Sequence, residues 1–275
     1  DCPSPAEPIC EAGQCRACVV ASGDCANDYP DAQVCVAGEC VECADSVTDC
    51  GGQTPICDPV THVCRACQAH AECDFGVPDS GVCDWEDNSC LDPAAMIYVD
   101  ADDGGCATGD GSQGAPFCQI TDAITEAITS SPFNTIFVLD INGQYNPIGV
   151  NTTNPLRIVT RTGAEIAASS PSLVEVTGAS TRLVVDGFVI RSAFGAGNYG
   201  VRCDSSATLI LIDNTIRLNE SGGISATDCN LTLHGNTISD NTGGGVITSA
   251  GTVTLEATTI SNYDGGGLLQ IVGLD

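Results

Sequence analysis

From Leu183 to Tyr263 short apolar runs alternate with polar corners, and four segments superimpose. They are LVVDGFVIRS from Leu183, LILIDNTIRLN from Leu209, LTLHGNTISDN from Leu231 and VTLEATTISNY from Val253. Their anchor isoleucines, Ile190, Ile216, Ile238 and Ile260, are separated by 26, 22 and 22 residues. Eight residues after three of the anchors comes an apolar residue preceded by glycine (Ile224, Val246, Leu268). In the first segment a longer loop delays that position to Val201. A period near 22 with short strands and tight corners predicts a parallel β-solenoid, each coil stacking Ile, Val and Leu on those of the next. Asn219 and Asn241 fall at recurring corners, where side-chain amides can ladder up the stack. The glycine runs at 222–223, 243–245 and 265–267 suit turns that β-branched residues cannot make. A leucine-rich repeat is excluded, because its helix-bearing consensus is missing.

Upstream, TIFVLDI (135–141), LRIVT (156–160), LVEV (173–176) and LVV (183–185) read as strands of earlier coils. They are preceded by IYVDADDGGCATGDGSQGAPFCQITDAITEAI, which reads as a strand, an acidic glycine-rich loop, a Pro-Phe step and a helix. In that helix Ile120, Ala123, Ile124, Ala127 and Ile128 form one apolar stripe, suited to shielding the end of a solenoid. These motifs resemble the right-handed parallel β-helix superfamily that includes pectate-lyase-like proteins. The resemblance implies a mainly β chain: a right-handed parallel β-helix with a short N-terminal capping helix over residues 95–275.

Cysteine divides the chain in another way. Fifteen of the 19 cysteines lie between Cys2 and Cys90. From Cys18 onward they form sets of four: Cys18, Cys25, Cys35, Cys40; Cys43, Cys50, Cys57, Cys64; Cys67, Cys73, Cys83, Cys90. Cys2, Cys10 and Cys15 match the last three members of a further set. Units this small cannot bury enough apolar area alone, so four thiols per unit point to disulfide staples. Residues 1–91 are therefore expected to be a disulfide-rich repeat module, with the three connectivities open to each set undecided. Structural zinc is the competing reading, since CxxC pairs occur (Cys15/Cys18, Cys40/Cys43, Cys64/Cys67). The pairs, however, sit on a continuous cysteine ladder in an acidic chain. Farther on, Cys106 with Cys118 and Cys203 with Cys229 are the expected later disulfides, the second linking neighbouring coils. The module resembles cysteine-rich repeats of myxobacterial-type secreted surface proteins. Its loop histidines His62 and His70 read as surface residues.

Bonded cysteines place the chain outside the cytoplasm, secreted or at the cell surface. The net charge is -28, and all eight basic residues are arginine. Such a balance argues against nucleic acid and against an anionic membrane surface as partners. No apolar run reaches the roughly 20 residues of a membrane span.

The resembled superfamily contains lyases and glycosidases, which use clustered carboxylates, with Ca2+ and a basic residue in the lyases. Coil stacking puts Asp186, His234 and Glu256 in one column, each four residues before its anchor, with Ile212 in the intervening coil and Asp213 beside it. The competing reading is a solvent-facing corner, and the chain is read as leaning away from an enzyme. Arg191 and Arg217 stack as neighbours and could meet an anionic sugar, but solvated arginines over a strand surface are the simpler account. Asp100, Asp102, Asp103 and Asp110 offer hard oxygens for Ca2+, against the plainer role of turn residues. Asn151, Asn219 and Asn230 head glycosylation sequons, although Asn219 suits a corner ladder better.

The sequence thus reads as an extracellular structural or adhesive protein, with other surface proteins, copies of itself or extracellular glycans as partners. Its alternative is a polysaccharide-binding or polysaccharide-cleaving β-helix. The unfinished last coil and the incomplete first cysteine set raise the expectation of a longer parent chain or head-to-tail assembly.

Overall fold

The computed structural model describes residues 9–11, 14–16, 18, 25, 34–74, 81–129, 134–139, 143–168, 172–262 and 269–272. The chain divides into two compact units, Asp1–Pro93 and Ala94–Asp275.

In the first unit each repeat is built on a small antiparallel hairpin, and the third and fourth cysteines of a set face each other across it. Cys35 opposes Cys40 in Val34–Val36 and Glu39–Val41, and Cys57 opposes Cys64 in Ile56–Cys57 and Cys64–Arg65. Cys83 and Cys90 form an equivalent bridge. Upstream, Cys10 opposes Cys15 in the hairpin of Ile9–Glu11 and Gln14–Arg16, while Cys2 lies outside the described residues. Facing cysteines do not bond to each other. The first bonds the third and the second bonds the fourth: Cys18–Cys35 and Cys25–Cys40, Cys43–Cys57 and Cys50–Cys64, Cys67–Cys83 and Cys73–Cys90. The sulfurs are thus oxidised rather than held as thiolate ligands. With 14 to 17 residues between partners, each bond removes about 3 kcal/mol of chain entropy from the unfolded state. A second regularity accompanies the bonds: the backbone N–H of each first cysteine donates to a carbonyl in its own hairpin turn. Cys18 reaches Gly38, Cys43 reaches His62 and Cys67 reaches Asn88, all three acceptors having left-handed backbone.

The two histidines of this unit, expected from their loops to be surface residues, are instead half-buried. His70 is half-buried; its Nδ1 accepts the backbone N–H of Cys83 at 3.0 Å, and its ring meets Trp85 edge-on at 6.3 Å. His62 is also half-buried and holds the turn carbonyl that receives Cys43.

The second unit is a parallel β-solenoid with three faces. The first face runs through Met96–Val99, Thr135–Val138, Leu156–Thr160, Arg182–Asp186 and Thr208–Ile212 into 230–234 and 252–256. The second comprises Gln144–Tyr145, Glu165–Ala167, Val189–Arg191, Thr215–Arg217, Thr237–Ser239 and Thr259–Ser261. The third comprises Ile148–Val150, Val174–Val176, Val201–Asp204, 224–227, 246–249 and Leu269–Val272.

Register follows the side-chain pattern, because a slip by one residue would turn each apolar set outward. On the first face Ile97, Ile136, Ile158, Val185, Leu211, Leu233 and Leu255 stack in one inward column. On the second Tyr145, Ile166, Ile190, Ile216, Ile238 and Ile260 do the same. Most of these side chains are fully buried, each contributing about 1.5–3 kcal/mol. On the third face Val246 pairs with Leu269, one residue beyond the position that the eight-residue rule gives; Leu268 itself lies outside the described residues. Helix Ile120–Thr129 buries Ile120, Ala123, Ile124 and Ala127 against the first coils. Ile128 departs from the expected stripe and is 38% exposed.

Corners are closed by amides. Asn219 donates from Nδ2 to Oδ1 of Asn241 at 3.0 Å, and its own Oδ1 accepts the N–H of Ala193. A second ladder, which the corner pattern alone did not reveal, joins Asn214 and Asn236. All four are buried. Burial also removes Asn219 as a glycan acceptor, whereas Asn151 and Asn230 are exposed.

Candidate functional site

Coil stacking brings the sequence-selected column together. Asp186 pairs with Ile212, Ile212 with His234 and His234 with Glu256. His234 Nδ1 lies 3.4 Å from Glu256 Oε2, while the two side chains remain 37% and 72% exposed. Asp186 is 2% exposed, two coils from His234, with aliphatic Ile212 between them. Asp213 occupies a corner with left-handed backbone, and its carboxylate lies over Gly235 of the next coil. The result is one wet imidazole–carboxylate pair separated from a buried carboxylate, not a convergent acid–base site.

The stacked arginines also divide. Arg191 forms a two-point contact with Glu165 of the preceding coil, Nε to Oε1 at 2.8 Å and Nη2 to Oε2 at 2.5 Å. That contact holds the Glu165 carboxyl below its ordinary range, opposed in part by burial. Arg217 pairs in register with Arg191 and is exposed.

In the acidic loop three of the four carboxylates accept backbone N–H groups of their own turns. Asp100 Oδ1 accepts the N–H of Asp102, Asp103 Oδ1 that of Gly105 and Asp110 Oδ1 that of Ser112. The Ser112 contacts depress the Asp110 pKa. Among the described residues, no three of these four bring their oxygens within 4.8 Å of one another.

Two later disulfides lie in the second unit. Cys106–Cys118 ties this loop to the start of helix Ile120–Thr129, and Cys203–Cys229 joins neighbouring coils within the core. An exposed aromatic side chain lies apart from these titratable columns. The loop at 192–200 lies in the 26-residue step from Ile190 to Ile216, and Phe194 is 50% exposed there. Its signal in the sequence is the pair of aromatics within the glycine-rich insert AFGAGNYG.

Residues 1–96 match a family of unknown function (DUF8331), and residues 164–272 match the right-handed β-helix region. No curated protein and no solved structure matches the chain. The second unit is a right-handed parallel β-helix, following a cysteine-rich module closed by disulfides. Among the described residues no helix is long and apolar enough to cross a membrane, and the many disulfides fit an extracellular protein.

Proposed function

We propose that this chain is a structural or adhesive protein of the cell surface, in which a stapled repeat module accompanies a β-helix whose long faces make contact with other molecules. The observation that carries this reading is the repeated first-to-third, second-to-fourth disulfide pattern. Such cross-linking favours persistence in an oxidising, protease-rich medium over conformational change. The outward columns of the second face point the same way. They carry short polar side chains, Thr215, Thr237 and Thr259 beside Arg217, Ser239 and Ser261, which suit a flat contact surface better than a reaction cleft.

Polysaccharide cleavage is the second reading, favoured by the His234–Glu256 pair alone. Two wet groups with a buried carboxylate two coils away give it little support. Antibody labelling of intact, unpermeabilised producing cells, together with non-reducing electrophoresis, tests the first reading. Labelled, disulfide-bonded protein is expected; protein shielded until lysis refutes it. Incubating the purified chain with polysaccharides tests the second: new reducing or unsaturated ends, abolished by His234→Ala, would replace the structural reading with an enzymatic one.

A further inference from the structure

Up to residue 93 the chain contains two arginines and no lysine, and both arginines stand in the same tetrad, Cys-Arg-Ala-Cys, at 15–18 and 64–67. The second tetrad joins two complete cysteine sets. Cys43–Cys57 and Cys50–Cys64 together span every peptide bond of one set, and Cys67–Cys83 with Cys73–Cys90 do so for the next. Among the described residues no disulfide crosses Arg65–Ala66, since the others lie wholly before or after it. Arg65 therefore stands where one cut would part the chain.

Its side chain is held in place. Arg65 ends the hairpin strand Cys64–Arg65. Its Nη2 donates to Glu72 Oε1 at 2.6 Å and its Nη1 to Glu72 Oε2 at 3.2 Å, a two-point contact. Nη1 also reaches the Ala66 carbonyl at 3.0 Å, and Nε lies 3.7 Å from Asp58 Oδ2. Glu72 is fixed in turn, its Oε2 accepting the N–H of Gln68 at 2.7 Å. One guanidinium thus bridges the hairpin of one set, the spacer, and the His70–Cys73 turn of the next. An arginine-specific endopeptidase must seat that same guanidinium on a carboxylate in its own pocket. Glu72 competes with it. Cutting of a folded chain samples the locally opened state, so whatever holds Arg65 in place slows the cut.

We infer that Arg65–Ala66 is a latched processing site for an extracellular arginine-specific endopeptidase, with Glu72 as the latch. Hydrolysis adds one water across the bond between the Arg65 carbonyl carbon and the Ala66 nitrogen, leaving a carboxylate on Arg65 and an ammonium on Ala66. It divides the chain into residues 1–65 and 66–275, the second keeping the last cysteine set and the β-helix. Across the cut, Ile56 packs with Cys67, Cys73 and Cys83. The inference goes beyond the surface reading, since it needs an oxidising medium that holds such an enzyme but no adhesive contact.

The test uses the full chain with disulfides intact. Arg65→Lys gives the chain a single lysine, so a lysine-specific endopeptidase reads that one bond. Non-reducing denaturing electrophoresis should show one cut, with mass spectrometry placing the new N-terminus at Ala66. Adding Glu72→Gln, which keeps an acceptor for Gln68 but loses the charge, should speed the cut about fivefold with Trp85 fluorescence unchanged. In medium from producing cells a fragment beginning at Ala66 should accompany the parent chain and be missing for Arg65→Gln. The inference is overturned if the Arg65→Lys chain resists the enzyme, if Glu72→Gln leaves the rate unchanged, or if the parent's medium holds no fragment beginning at Ala66. None of these failures would alter antibody labelling of intact cells, so the two readings fail separately.

Discussion

Asn214 offers the sharpest test of how the β-helix is held together. Its Oδ1 accepts the N–H of Phe188 at 2.9 Å, and its Nδ2 donates to the Val185 carbonyl at 2.9 Å and to Asn236 Oδ1 at 3.2 Å. The side chain is 1% exposed. Asn214→Leu keeps a comparable volume and leaves no room for a replacement water. It would strand one buried N–H and weaken the bonding of one buried carbonyl. At roughly 1–3 kcal/mol for each stranded group, the expected loss is about 2–5 kcal/mol. Thr237→Val, on the exposed surface of the second face, should change stability by less than about 0.5 kcal/mol. Guanidinium unfolding should be followed by far-UV circular dichroism, because the single tryptophan, Trp85, reports on the cysteine-rich unit. Hydrogen exchange at the Phe188 amide supplies a local readout. Asn214→Asp extends the test: its carboxylate could still accept from Phe188 but would face two acceptors. It should therefore be less stable than the parent at neutral pH and recover on acidification, when a protonated carboxyl can donate again. A loss below about 0.5 kcal/mol for Asn214→Leu, with Phe188 exchange unchanged, would refute the view that amide ladders bind the coils.

Three further outcomes follow from the geometry. Glu165→Gln should cost up to about 1 kcal/mol at pH 7. Because Arg191 depresses the folded-state pKa of Glu165, its contribution is present above the unfolded pKa and fades as pH falls through the folded one; parent and variant melting curves should converge in acid. Gly187→Ala should destabilise by more than about 1 kcal/mol in calorimetry, since its φ is +83° and an added Cβ would lie 2.0 Å from the Thr160 carbonyl oxygen. Replacing both Cys73 and Cys90 by Ser should remove about 3 kcal/mol from the first unit, read by Trp85 fluorescence, while the β-helix signal persists.

Much of the fold was legible because a solenoid writes its geometry directly into spacing. Ile190, Ile216, Ile238 and Ile260 were separated by one coil in sequence and occupy one column in space. Leu269 shows the limit: it pairs with Val246 one residue beyond the position that counting from Ile260 gives. The Asn214–Asn236 ladder was overlooked because the Asn-Thr-Ile triplet was read for its isoleucine, yet the asparagine beside it turns inward. Disulfide connectivity could not be read from spacing, since four thiols on a short hairpin unit satisfy several pairings; backbone register separates them. The exposure of Phe194 was not legible either, since an aromatic within a glycine-rich insert reads the same in sequence whether it is buried or exposed.

The interleaved sulfur bonds bear on how the module would come apart. Within a set such as Cys43, Cys50, Cys57 and Cys64, any single peptide cut is spanned by at least one of the two bonds. A protease nicking a hairpin therefore releases nothing. Between the three complete sets, the two-residue spacers Val41-Glu42 and Arg65-Ala66 are the scission points that would part neighbouring sets. Shedding would thus proceed in whole units, and Arg65, engaged by Glu72 at 2.6 Å, stands at one of those gates.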